Sequence, residues 1–157
     1  MLAAQTSKRL IASLYAGIAA AIFSTLVQLL LWWVFWDVLP AIFYRDIRFT
    51  AAIVLGAEGL QPLAGALDWQ LMWIATCIHV ALSIIYAMML SYLIHRLDLK
   101  KSLFVGGLFG LGIFVINMYG FVILFPWFVE TRDWITVTAH LAFGVSAAGI
   151  YKSLSKL

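Results

Sequence analysis

The chain has 157 residues, of which 65% are apolar and only 11% charged, with a mean hydropathy of +1.04 and a formal net charge of +3. Soluble domains are about half apolar and a quarter charged, and a chain of this size still exposes about a third of its surface. So apolar a composition excludes a soluble enzyme, a nucleic-acid-binding module and a disordered tail, and it marks an integral membrane protein. The single cysteine, Cys77, excludes an internal disulfide and any multi-cysteine metal site.

A spanning helix needs about 20 mostly apolar residues, each rising 1.5 Å against roughly 30 Å of hydrocarbon. Four segments reach that length: residues 10–36, 71–94, 103–125 and 134–151. They predict an all-α fold, a bundle of four transmembrane helices forming one transmembrane domain over residues 1–157. The first segment has a basic start like a signal peptide. It is too long for such a leader, and Trp32, Trp33 and Trp36 stand where small cleavage-site residues would be needed.

Between the first two spans, residues 37–70 form the one long connection, too apolar for a solvated linker. Ile42, Phe43, Ile47, Phe49 and the run 51–55 alternate with Arg45, Asp46 and Arg48, and Gly56, Gly59, Pro62 and Gly65 then break the pattern. Residues 42–55 therefore read as a short helix in the outer interface, with its apolar face in lipid or against the bundle. A shallow re-entrant element and an ordinary covered loop are the alternatives. Pro40 and Gly56 are placed to start and stop the helix.

Seven cations, Lys8, Arg9, Arg96, Lys100, Lys101, Lys152 and Lys156, fall on the side shared by the termini and the second loop, against Arg45, Arg48 and Arg132 opposite. Cations flanking short loops stay in the cytoplasm, so both termini are expected there. Trp32, Trp33, Trp36, Trp69, Trp73, Trp127 and Trp134 all fall near the outer interface, as an aromatic belt does.

Polar residues at membrane depth are costly and tend to face the bundle interior. At 1.5 Å per residue, His79 and Asn117 lie about 12 Å and His140 about 9 Å below the outer ends of three different spans. Tyr119 is near them, Ser83 is one turn below His79, and Ser24, Thr25 and Gln28 approach from the first span. The plainest reading of this cluster is hydrogen bonding that fixes which helix faces meet. A sharper one is ligation of a haem b by His79 and His140 from opposite sides. A third is proton or ion passage, although no carboxylate is expected inside any span. A metal ion is not expected, because Cys77 points away from His79 on the same helix.

Packing signals are stronger. Gly106 and Gly110 make a G-x-x-x-G with Gly107 and Gly112 alongside, and Gly17, Ala20, Ala21 and Ser24, and Gly144, Ala147 and Ala148, make two more small faces. Three such faces leave room for self-association or docking into a larger assembly. In the third outer connection Pro126 ends a span and Trp127, Arg132 and Asp133 follow, which reads first as an interfacial turn and second as a binding site.

The stretches A-A-I-V-L-G at 51–56, H-V-A-L-S-I-I-Y at 79–86, G-L-F-G-L-G-I-F-V-I-N-M-Y-G-F at 107–121, F-P-W-F at 125–128, R-D-W at 132–134 and A-H-L-A-F-G at 139–144 resemble a family of small, uncharacterised bacterial four-span inner-membrane proteins, some of which carry the label of a sodium:proline symporter. The resemblance runs from about Gly17 to Tyr151. It implies a bacterial inner-membrane location and interest in His79, Asn117, Tyr119, Pro126, Trp127, Arg132 and His140, and it supplies no reaction. The expected function is a non-enzymatic membrane protein that associates through its helices, with itself or as an accessory subunit of a larger membrane complex, its partners being lipid and another membrane protein and not nucleic acid. The alternative is a small transporter or channel using the outer-half polar cluster, and a b-type haem protein is third.

Overall fold

The structure is a computed structural model that describes residues 2–61 and 68–155, with side chains from residue 7 onward; Pro62, Gly65 and Lys156 lie outside the described residues. Helices α1 (Leu2–Phe35), α3 (Trp69–Ile94), α4 (Leu99–Val115) and α5 (Trp134–Leu154) make up the bundle, and the short α2 (Ala41–Leu55) lies between α1 and α3. The chain is an all-α membrane bundle. Four of its helical segments are long and apolar enough to cross a membrane, Ser7–Phe35, Trp69–Ile94, Leu99–Ile123 and Trp134–Leu154.

Helices α1, α4 and α5 outrun the expected spans at the end that carries the termini, because a helix need not stop where the bilayer does, while α3 stops at Ile94 as expected. Asp68, Asp98 and Asp133 each cap a helix, their carboxylates accepting from the backbone N–H groups of Gln70 and Leu71, of Lys101 and of Thr136. Such caps satisfy donors that the first helical turn leaves orphaned. α1 ends on Asp37, in the left-handed region at φ 50°, with its N–H donating to the Trp32 carbonyl at 3.0 Å.

Association in lipid gains little from burying apolar surface, so backbone approach decides which helices meet. α5 is central, packing along both α1 and α4, while α3 packs along α1. Ala12, Ala16 and Ala20 fall at every fourth position of α1 and are buried with Ala147, Ala148 and Tyr151 of α5 and Leu90 and Ile94 of α3. The G-x-x-x-G of α4 faces α5: a Cβ added at Gly106 would be driven into the Gly144 carbonyl, one at Gly110 into the His140 carbonyl, and one at Gly144 into the Gly106 carbonyl. Gly17 meets α3, where an added Cβ would lie 2.8 Å from the Ile84 Cα. Each of the three small-residue faces thus makes a close helix contact within the chain.

Lys152 was expected to follow the fourth span, but it belongs to the last turn of α5 and is buried. Its Nζ donates to the carbonyls of Ile94 and His95 at 3.4 Å each, closing the C-terminus of α3, where a cation complements the helix dipole. Trp32 departs from the belt in the same way: it is 2% exposed, whereas Trp33, Trp36, Trp69, Trp73 and Trp134 are exposed near the end of the bundle away from the termini.

Candidate functional site

Helix α2 forms as its pattern predicts and stops at Gly56, whose φ of 62° favours glycine. Its apolar face is turned to the bundle, with Ile47 and Ala51 packed on Leu71 and Ala75 of α3. The 3-10 turn Gly56–Leu60 folds back beneath it, and a Cβ at Gly59 would lie 2.8 Å from the Ala52 Cα. Two bonds fasten α2 to the turn Pro126–Thr131: the Trp127 indole Nε1 donates to the Phe49 carbonyl at 3.0 Å, and Arg45 Nη1 donates to the Glu130 carbonyl at 3.3 Å. Trp127 is therefore an inward tie as well as an interfacial ring, while Pro126 opens the turn and is exposed.

The third span is not one uniform helix. Its α-ladder ends at Val115, gives way to a π-turn over Ile116–Gly120 and finishes as a 3-10 turn over Phe121–Ile123. π-turns inside helices occur frequently at functional sites. Arg132 secures this one, its Nε donating to the Met118 carbonyl at 2.7 Å while its guanidinium lies 4.2 Å from the Tyr119 ring centroid. The Thr131 hydroxyl meets the Met118 sulfur at 2.8 Å. Arg132 thus positions the turn and does not bond to the polar cluster.

Between these elements lies a part-open cavity of about 270 Å³. Ser24, Thr25 and Gln28 of α1, His79, Ser83 and Tyr86 of α3, Asn117 of the π-turn, and Thr136 and His140 of α5 bring their polar groups to it. Phe121, Phe125, Phe128 and Phe143 supply aromatic wall. From the sequence cluster His79, Ser83, Asn117 and His140 are brought together here. Tyr119 is not: it is 53% exposed and turned to Arg132, as expected of two residues two apart on a helical turn, which point to nearly opposite sides.

One wall is a connected chain of bonds. The Tyr86 hydroxyl donates to Asn117 Oδ1 at 2.8 Å, Asn117 Nδ2 lies 3.4 Å from His140 Nε2, and His140 Nδ1 lies 2.8 Å from the Thr136 carbonyl. A carbonyl accepts only, which assigns the His140 proton to Nδ1 and leaves Nε2 as the acceptor for the Asn117 amide. On the same helix end, Gln28 Nε2 donates to Thr136 Oγ1 at 3.5 Å and Thr136 Oγ1 donates to Asp133 Oδ2 at 3.2 Å. His79 lines the cavity outside this chain of bonds and is exposed, with Nε2 3.4 Å from Thr25 Oγ1. Both histidines line one cavity without touching. Binding one haem would require their Nε2 lone pairs to turn from Thr25 and Asn117 to a common iron.

No family model, curated protein or solved structure matches the chain, so the site has to be read from its own geometry. Among the described residues, no three of His, Cys, Asp and Glu come together to hold a metal ion, and Cys77 is exposed.

The sequence reasoning missed Asp46. In the sequence it stands with Arg45 and Arg48 among the charged residues that alternate with the apolar ones of α2, and in the structure Asp46, Thr50 and Ile53, spaced at i, i+4 and i+7, line the cavity. A carboxylate thus reaches the site from an element that spans nothing. The spacing was visible in the sequence; the rotation of α2 about its axis was not. Burial raises the Asp46 carboxyl to about 6, against the lowering pull of Arg45 and with a further upward push from Asp133.

Proposed function

We propose that the protein is a non-enzymatic four-span membrane protein that holds a small molecule in this cavity and passes it across the bilayer, a small transporter. What supports this is the cavity of about 270 Å³, lined by hydroxyl, amide, imidazole and carboxylate groups. Cohesion between helices accounts for the bonds that join Tyr86, Asn117, His140 and Thr136 along one wall, and the open space beside them is what a ligand would fill. Association through helix faces, as a homo-oligomer or an accessory subunit, is supported less well, because Gly17, Gly106, Gly110 and Gly144 are spent in contacts within the chain. Membership of the four-span inner-membrane family that the sequence resembles belongs to the same proposal.

Cysteine accessibility tests it. In a Cys77→Ser background, Ser83→Cys places a thiol on the cavity wall, where the serine is 4% exposed overall, and Ile85→Cys places one on the outward side of the same helix, where the isoleucine is 51% exposed. A water-soluble methanethiosulfonate should modify the first faster than the second, although the first is the more buried position, because water reaches the cavity and not the lipid-facing surface. Equal resistance of both would remove the hydrated site and the transport proposal with it.

Bacterial inner-membrane location with both termini cytoplasmic completes the proposal, on the seven-to-three division of Lys and Arg in the sequence. A reporter fused after residue 157 is expected to read cytoplasm and one inserted beside Gly59 to read the opposite compartment. The reverse pattern in either fusion would overturn the orientation.

A further inference from the structure

Asp46 is the one carboxylate on the cavity wall, and no lysine or arginine lines that wall among the described residues. Its partner Arg45 bonds from the side, Nε at 2.9 Å and Nη2 at 2.8 Å, both to Oδ1, and then reaches away to the Glu130 carbonyl. The negative group therefore meets the cavity with its nearest cation held to one edge. The same cavity is lined by Phe121, Phe125, Phe128 and Phe143, a residue type whose ring faces attract cations and whose bodies accept apolar surface. An anion would find no lysine or arginine on this wall, and a neutral ligand would gain nothing from the Asp46 charge, which only Arg45 meets from the side.

We infer that the cavity takes a small organic cation, an ammonium group on an apolar body, with Asp46 as its counter-charge, and that the cation and a proton compete for that carboxylate. This rests on the small-molecule reading of the cavity and names its ligand class. The size fits: about 270 Å³ is close to the lower end of ordinary ligand pockets. Competition gives a transporter its coupling, since entry of a proton on one side discharges the cation and loss of the proton on the other restores the site.

The charged and titratable groups about Asp46 are Arg45 beside it and Arg48 two residues on along its own helix, Asp133 at the cap of α5, and His140 of α5 and His79 of α3, which line the same cavity. The turn packed on α2 adds Glu130, which meets Arg45 through its backbone carbonyl. Arg132 is engaged with Met118 and Tyr119. With the carboxyl raised to about 6, it is charged in most molecules at pH 8 and in about a tenth of them at pH 5. Affinity for a cation that does not itself titrate should therefore fall about tenfold between those pH values, in the direction of acid.

The experiment uses the full chain in detergent micelles, with benzyltrimethylammonium and its uncharged carbon isostere neopentylbenzene as probes, and calorimetry as the readout. The cation is expected to bind saturably, about tenfold more weakly at pH 5 than at pH 8, while the isostere binds more weakly at both and shows no pH dependence. Asp46→Asn should lose at least tenfold in affinity for the cation and flatten its pH profile, and Asp46→Glu should restore both. If Asp46→Asn does not fold, the comparison of the two probes across pH in the unaltered chain still decides. Equal, pH-independent binding of both probes would overturn the cation assignment and leave the small-molecule reading standing. Binding of neither probe would overturn the assignment as well, and the smaller reading would then stand or fall on the Ser83→Cys reaction.

Discussion

Replacing Gly110 by leucine should remove most of the folded protein. The new Cβ would be driven into the His140 carbonyl, and that carbonyl is backbone of a helix already packed on α1, so no flexible side chain can yield. Overpacking costs about 1–3 kcal/mol where side chains can shift, and a backbone clash across two helices belongs at or above the top of that range. The matched control is Gly112→Leu on the same helix, where an added Cβ meets nothing within 4 Å. There the loss of a glycine should leave stability unchanged or raise it by up to about 1 kcal/mol. Thermal unfolding in detergent, followed by circular dichroism, compares the two. Similar melting of Gly110→Leu and Gly112→Leu would mean that α4 and α5 do not approach as described.

That contrast also marks what a sequence can and cannot carry. The four spans were legible because the bilayer imposes a length and the apolar segments meet it. The helix between the first two was legible because Pro40 and Gly56 bound an alternating stretch. Gly106 and Gly110 were recognisable as a contact face, but the identity of the neighbour was not. Gly144, the residue that receives Gly106, lies in a different span, and a small face looks the same whether it meets the same chain or another. Asp68 and Asp133 stand just before apolar runs, the position of a helix cap, so these two helix starts carry a mark in the sequence.

The site was legible in part for a related reason. Polar residues at depth stand out against apolar spans, so His79, Asn117 and His140 were visible, and depth alone put them at one level. Depth does not give azimuth. Tyr119 shares the level of Asn117 but turns to Arg132, and Asp46 lies on a helix whose rotation is fixed by Ile47 and Ala51 packing on α3. The π-turn left no mark in the sequence, since Ile116, Met118 and Phe121 would suit an unbroken helix equally well. Only the partner at Met118, an arginine some turns later in the chain, gives it a reason.

Asn117→Leu should cost about 1–3 kcal/mol and lower the melting temperature by several degrees. Leucine fills nearly the same volume but can neither accept from the Tyr86 hydroxyl nor donate to His140 Nε2, so two groups on the cavity wall lose their partners. A buried group left unsatisfied costs about 1–3 kcal/mol in water-soluble proteins, while hydrogen bonds between membrane helices average nearer 0.6. Water in a hydrated cavity would soften the loss further, which places the expectation toward the lower end. A double-mutant cycle isolates the bond itself. Tyr86→Phe removes the hydroxyl that donates at 2.8 Å, so the loss from Asn117→Leu in that background should be smaller by about 1 kcal/mol, because no orphaned hydroxyl remains to be created. Strict additivity of the two substitutions would mean that Tyr86 and Asn117 do not bond in the membrane, and that packing alone holds this wall of the cavity in place.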